Sequence, residues 1–136
     1  MKKSIPAAVI LALIILFTAC SSSKLADIYN EDEVINRAKK TVEVINTLDY
    51  DAMVSEMRDD LESMITATQL EDAWGPLLNE AGGFVEFKTA IAYGQKSKST
   101  GEDYAVVVLT CNYENATHTY TISMDKDLSI VGMYMK

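Results

Sequence analysis

One imidazole, one interior thiol and a few phenols are what this 136-residue chain offers for acid–base or nucleophilic chemistry. His118, the only histidine, stands in "HTYTISM", two residues before Tyr120. Cys111 stands in the apolar run "AVVVLTCNY". A nucleophilic thiol needs a base within hydrogen-bond reach, and His118 alone could supply an imidazole. The surroundings of Cys111 read better as a core strand, where burial disfavours a thiolate. Trp74, Tyr93, His118 and Tyr120 could line a space between helices and sheet. There neutral Tyr and His could orient a ligand, although no partner acid is assignable. "RDDLE", from Arg58 to Glu62, groups three acids. A divalent-cation site is one reading; a solvated helix face is the better one, because the EF-hand spacing with its glycine is missing. The chain has no H-E-x-x-H, C-x-x-C, Gly-rich phosphate loop or G-x-S-x-G. The expectation is no catalytic residue, no metal and no cofactor.

The other cysteine, Cys20, has a different setting. Met1-Lys2-Lys3 is basic, and Ile5 to Phe17 is apolar apart from Pro6 and uncharged. That run is short for a bilayer span of roughly 20 residues and fits a secretory signal peptide over 1–19. Phe17-Thr18-Ala19-Cys20 resembles the bacterial lipobox, departing from it in having Phe where Leu is usual. The resemblance implies thioether diacylation of Cys20 and cleavage just before it. Two or three acyl chains hold a protein stably at a bilayer where one does not. Residues 20–30 then read as a lipidated cysteine and flexible tether with a reach of at most about 35 Å, and 31–136 as a single domain on the extracytoplasmic face of the membrane.

Charge narrows the partners. Loss of residues 1–19 removes two lysines and no acid, taking the net charge from −8 to −10. Nucleic acid, which is bound through Lys and Arg on phosphates, is excluded as an expected partner, and anionic headgroups gain nothing from this balance. The acids concentrate early: residues 31–81 carry thirteen against four bases, whereas residues 82–136 carry six against five. An acidic helical half thus precedes a near-neutral strand half.

The elements that must position these residues follow from periodicity. Val34, Ala38, Val42, Ile45 and Leu48 recur at three and four, the face of a helix starting near Glu31 with acids in its first turn. Asp49 is the expected N-cap of a second helix with the stripe Met53, Met57, Leu61, Met64 and Ile65. Thr68-Gln69-Leu70-Glu71 reads as a capping box, opening a third helix with inner face Leu70, Ala73, Trp74, Leu77 and Leu78. Pro76 predicts a kink or break at Gly75-Pro76, and Gly82-Gly83 ends the helical half. Phe84 to Lys96, Asp103 to Tyr113, the alternating His118, Tyr120, Ile122 and Met124, and Leu128 to Met135 read as four strands. Their short links imply antiparallel pairing.

Helices followed by a meander is the plan of the cone-shaped, nuclear-transport-factor-like α+β fold. "INTLDYDAMVSEMRDDL", "LEDAWGPLLNEAGGF" and the terminal "LSIVGMYM" resemble the bacterial family known as domain of unknown function 3887, over about 31–136. The resemblance implies an α+β domain in which three N-terminal helices pack on a curved four-stranded antiparallel sheet. Members of that family are often lipoproteins. Folds of this type often pair through the open sheet face, so a homodimer is an expectation of the resemblance. The function expected is a membrane-anchored, non-enzymatic module that binds a protein, peptide or small ligand. The alternative is a small pocket enzyme of lyase or isomerase type.

Overall fold

The computed structural model describes residues 23–136. The signal peptide and Cys20 therefore lie outside the described residues. The elements run α1 (Glu31–Asn46), α2 (Tyr50–Ser55), a 3-10 helix (Asp59–Met64), α3 (Ala67–Ala81), β1 (Phe84–Lys96), β2 (Asp103–Tyr113), β3 (Thr117–Met124) and β4 (Ile130–Met135). The strands form one antiparallel meander in the order β1-β2-β3-β4. Bulges at Phe84/Glu86 and Phe87/Thr89 interrupt the register of β1, which bends a strand locally. The three α-helices pack on one face of the sheet, so each strand gives alternate residues to a common core.

α1 forms as its sequence dictates. The Asn30 side chain accepts from Glu33 N–H at 3.0 Å, and Glu31, Asp32 and Glu33 occupy the positive end of the helix dipole. Val34, Ala38, Val42 and Ile45 are fully buried. Leu48 is not: the helix stops at Asn46, and Leu48 takes a left-handed φ of 62° with 43% of its surface exposed. Asp49 caps α2 through Ala52 N–H.

The second helix differs most from its expected form. It is six residues long and is followed by a separate 3-10 helix, so there are four helical segments rather than three. The cause is a pairing that helical periodicity cannot show. Met57 leaves the helix to form a parallel bridge with Ile130, and Arg58 N–H donates to the Ile130 carbonyl at 2.8 Å. Met53 and Met57 stay in the core, while Met64 is 65% exposed. The capping box belongs to Thr66 and Gln69, two residues earlier than expected. α3 then continues through Gly75-Pro76. Pro76 leaves the Asp72 carbonyl without its helical donor, but both residues are exposed and water can take the donor's place. Leu77, expected inside, is 44% exposed, and Trp74 and Leu78 carry the buried face.

The chain's two arginines both fasten the turn between β3 and β4. Arg37 of α1 donates Nε–H to the Leu128 carbonyl at 3.0 Å and Nη1–H to Glu56 and buried Thr41, each at 2.9 Å. Arg58 donates to Asp60 (Nε–Oδ1 2.7 Å) and to Asp125 (Nη1–Oδ2 3.0 Å). Asp125 Oδ1 meanwhile accepts from Asp127 and Ser129 N–H, closing the turn. Residues 23–30 are also docked rather than loose. Ser23 bridges Gly94, Leu25 packs against the core, and the Tyr29 hydroxyl donates to the Asp103 carbonyl at 2.9 Å.

Candidate functional site: a sealed inner face and an open outer face

The groups with chemical potential gather on the inner face. Cys111 of β2 lies directly opposite His118 of β3. The thiol thus has the one imidazole as its cross-strand neighbour, which their separation in sequence did not reveal. Tyr113 stacks edge-on against His118 at 5.4 Å between ring centroids. Its hydroxyl donates to Asn46 Oδ1 at 2.5 Å and lies 2.7 Å from the Tyr120 hydroxyl. A phenol has one proton. Tyr113 gives its own to Asn46, so Tyr120 donates to Tyr113, and a one-way relay runs Tyr120 to Tyr113 to Asn46. Trp74 packs edge-on against Tyr120 at 6.4 Å.

This cluster is closed. Cys111 and Tyr120 have no exposed surface, Trp74 has 2% and His118 has 8%. Burial pushes the Cys111 thiol up to about 11, against a smaller lowering by Lys39. Burial pushes Tyr113 up to about 12, and burial together with Tyr113 raises Tyr120 further. All three are neutral near pH 7, with both phenol protons engaged. The His118 Nε2 is buried without a hydrogen-bond partner, an unusual state for such an atom.

Of the four expected pocket residues, the structure brings three to this face and not the fourth. Trp74 and Tyr120 touch, and His118 joins them through Tyr113. Tyr93 lies opposite Val106, out of parity with the Ala92–Val107 pair that faces the core, so it points to the other side of the sheet. The three do not line an open space; they fill the core. Sequence reasoning missed Tyr113 and Asn46, which join the cluster only because the end of α1 crosses the end of β2.

The acidic run forms no convergent site. Asp60 is held below the usual carboxylate range by the Arg58 guanidinium. Among the described residues no group of three His, Cys, Asp or Glu side chains could hold a metal. An open groove of about 650 Å³ runs along α1 and α2, lined by Arg37, Lys40, Glu43, Val44, Thr47 and Glu56. Its Arg37 and Glu56 are already paired with each other.

The outer face has the opposite character. Register places Ile91, Val108, Thr121 and Tyr134 in one row across the four strands, and Thr89, Thr110 and Thr119 in the next. These seven positions carry no charge on a strongly acidic chain. Ile91 is 58% exposed and Tyr134 36%. Lower on this face Val106 and Ser123 are buried.

The fold and this division define a small α+β domain with a sealed interior and one uncovered sheet face. The chain belongs to the family described as "Protein of unknown function (DUF3887)", whose model matches residues 38–133. It is also similar to a solved NMR structure of a protein from Ruminococcus gnavus ATCC 29149. The identity is 24% and the TM-score 0.75, over 84% of this chain and 97% of that one, a likeness of fold. No curated protein matches the chain. No helix among the described residues is long and apolar enough to cross a membrane.

Proposed function

We propose that this protein is a bacterial lipoprotein, acylated at Cys20 and held at the extracytoplasmic face of the membrane. In this reading it works as a non-enzymatic module that binds a protein partner through the outer face of its sheet. The observation that supports this best is the uncharged row Ile91–Val108–Thr121–Tyr134, standing open on an otherwise acidic chain. An open, neutral, partly apolar surface suits a protein better than a small molecule, which prefers a concave pocket. The same reading places the domain in the nuclear-transport-factor-like superfamily.

The test is site-specific photocrosslinking in intact cells. A crosslinker at Ile91 should trap a discrete partner, and one at Glu71 on exposed α3 should not. A product of twice the chain's mass would identify that partner as a second copy. Equal or absent trapping at the two sites would overturn the outer-face reading. Acylation is tested separately: Cys20→Ala should abolish uptake of an acyl-chain analogue, and a wild-type chain that takes up none is not a lipoprotein.

One observation favours the second reading, a pocket enzyme of lyase or isomerase type: the unpaired His118 Nε2 beside Cys111. Turnover of a dehydratable, isomerisable or ester substrate that disappears in a folded His118→Ala variant would promote it.

A further inference from the structure

Gly94 is a glycine because another segment of the chain crosses it. Ser23 N–H donates to the Gly94 carbonyl at 2.9 Å, and Gly94 N–H donates back to the Ser23 carbonyl at 2.6 Å. A Cβ on Gly94 would stand 2.5 Å from the Lys24 backbone oxygen and 3.2 Å from its carbonyl carbon. These are backbone atoms and cannot swing aside as a side chain would. The segment is held again at Leu25, against the core, and at Tyr29, on the Asp103 carbonyl. Only Ser21 and Ser22 separate Cys20 from this latch. Three residue steps span at most about 11 Å, roughly a third of the reach expected for a free tether. Ser23 lies antiparallel to β1. Its N-terminal side therefore faces Lys96 and the β1–β2 turn at 97–102.

We propose that the latch stands the domain on the bilayer in one orientation, with the 97–102 turn against the lipid headgroups and the β2–β3 turn at 114–116 pointing away. The proposal rests on acylation of Cys20. The turn fits a headgroup layer rather than hydrocarbon. Ser97, Lys98, Ser99, Thr100 and Glu102 are polar and of both charge signs, and Lys24 and Lys96 are exposed beside them. The two turns lie at opposite ends of an 11-residue β2, roughly 35 Å apart at the usual rise. The outer face, with Ile91, then stands upright beside the membrane, open to a partner that approaches along it.

Single-site fluorescence tests this. Acylation would consume the Cys20 thiol, and Cys111 is buried and protonated, so a cysteine placed by Lys98→Cys or by Asn115→Cys takes a label selectively. The acylated chain is reconstituted in phosphatidylcholine vesicles bearing a headgroup-attached contact quencher. Quenching should be on the order of five-fold stronger at position 98 than at 115, because contact quenching does not reach across roughly 35 Å. A flexible Gly-Ser insertion between Ser21 and Ser22 leaves the folded domain untouched and should remove the difference, as should Gly94→Val. Equal quenching in a chain whose mass shows acylation overturns the orientation and leaves the anchor standing. A difference that survives the insertion also overturns it, since the tether then orients nothing. A chain without the acyl mass shift removes the anchor reading itself.

Discussion

The inner and outer faces of the sheet are built from alternating residues of the same four strands, and they divide the molecule's resources unequally. Cys111, Tyr113, His118 and Tyr120 all point inward, where helices cover them and burial holds the thiol and phenols neutral. The outward positions hold threonines, Val108, Ile91 and Tyr134, with little intrinsic reactivity but access to solvent. Residue type thus points to one face and exposure to the other. The comparison makes stability the work of the inner face and, on the proposed reading, recognition that of the outer.

The largest effect that would break this division is at Trp74. It is 2% exposed and packs on Tyr120. Trp74→Ala should cost about 3–5 kcal/mol in urea unfolding, with the variant partly unfolded at 37 °C. A stable Trp74→Ala domain that had lost partner binding would make the inner face a recognition site.

Alkaline titration comes next. Below pH ~8.5 the Cys111 thiol is protonated in both folded and unfolded chains and contributes no pH dependence. Above that the unfolded thiol ionises, while burial keeps the folded one protonated up to about 11. The unfolded state then binds fewer protons, so stability falls as pH rises and levels off above the folded value. The loss should total roughly 3 kcal/mol. Tyr113, pushed up to about 12 by burial, adds a later fall that begins near pH ~10. In Cys111→Ala the first part of the slope should vanish and the second remain, as denaturation midpoints from pH 7 to 11 would show. The native thiol should also resist alkylation at neutral pH; rapid modification would mean the inner face opens.

How much of this division is legible in the sequence depends on the range of the contacts involved. The α1 stripe from Val34 to Ile45, the four strands and the inward parity of His118, Tyr120 and Ile122 are local patterns, and the structure keeps them, losing only Leu48 from the stripe. The second helix misleads because Met57 and Arg58 answer to Ile130, more than seventy residues away. The relay from Tyr120 to Asn46 and the opposition of Cys111 and His118 need strand register, which no local pattern encodes. Residue type groups Tyr93 with Trp74 and Tyr120, and only pairing with Val106 shows that it faces outward. Gly94 carried no signal at all, since its requirement comes from the backbone of Lys24.

The direction of the tyrosine relay gives a smaller and sharper test. Tyr113→Phe removes both the acceptor for Tyr120 and the donor to Asn46, leaving a buried hydroxyl unpaired at a cost of about 1–3 kcal/mol. Tyr120→Phe leaves the bond from Tyr113 to Asn46 intact and should cost about 1 kcal/mol. Equal costs, measured by denaturation at pH 7, would mean the relay does not run one way.

The smallest expected effect on stability is the one that bears most on function. Ile91 is 58% exposed and lies next to Val108 in the neutral row. Ile91→Glu adds a charge that remains in water, so no desolvation penalty opposes it in the free protein. Exposed substitutions of this kind stay within about 0.5 kcal/mol. In a complex the same carboxylate would be buried against an apolar or like-charged surface, and an unpaired buried charge is expensive. If the outer face is the recognition surface, Ile91→Glu should unfold at the wild-type midpoint and lose the partner trapped by photocrosslinking from Tyr134. Lys40→Glu, in the groove along α1 and α2, should leave that trapping unchanged. A partner that survived Ile91→Glu but was lost on Lys40→Glu would move recognition from the sheet to the groove.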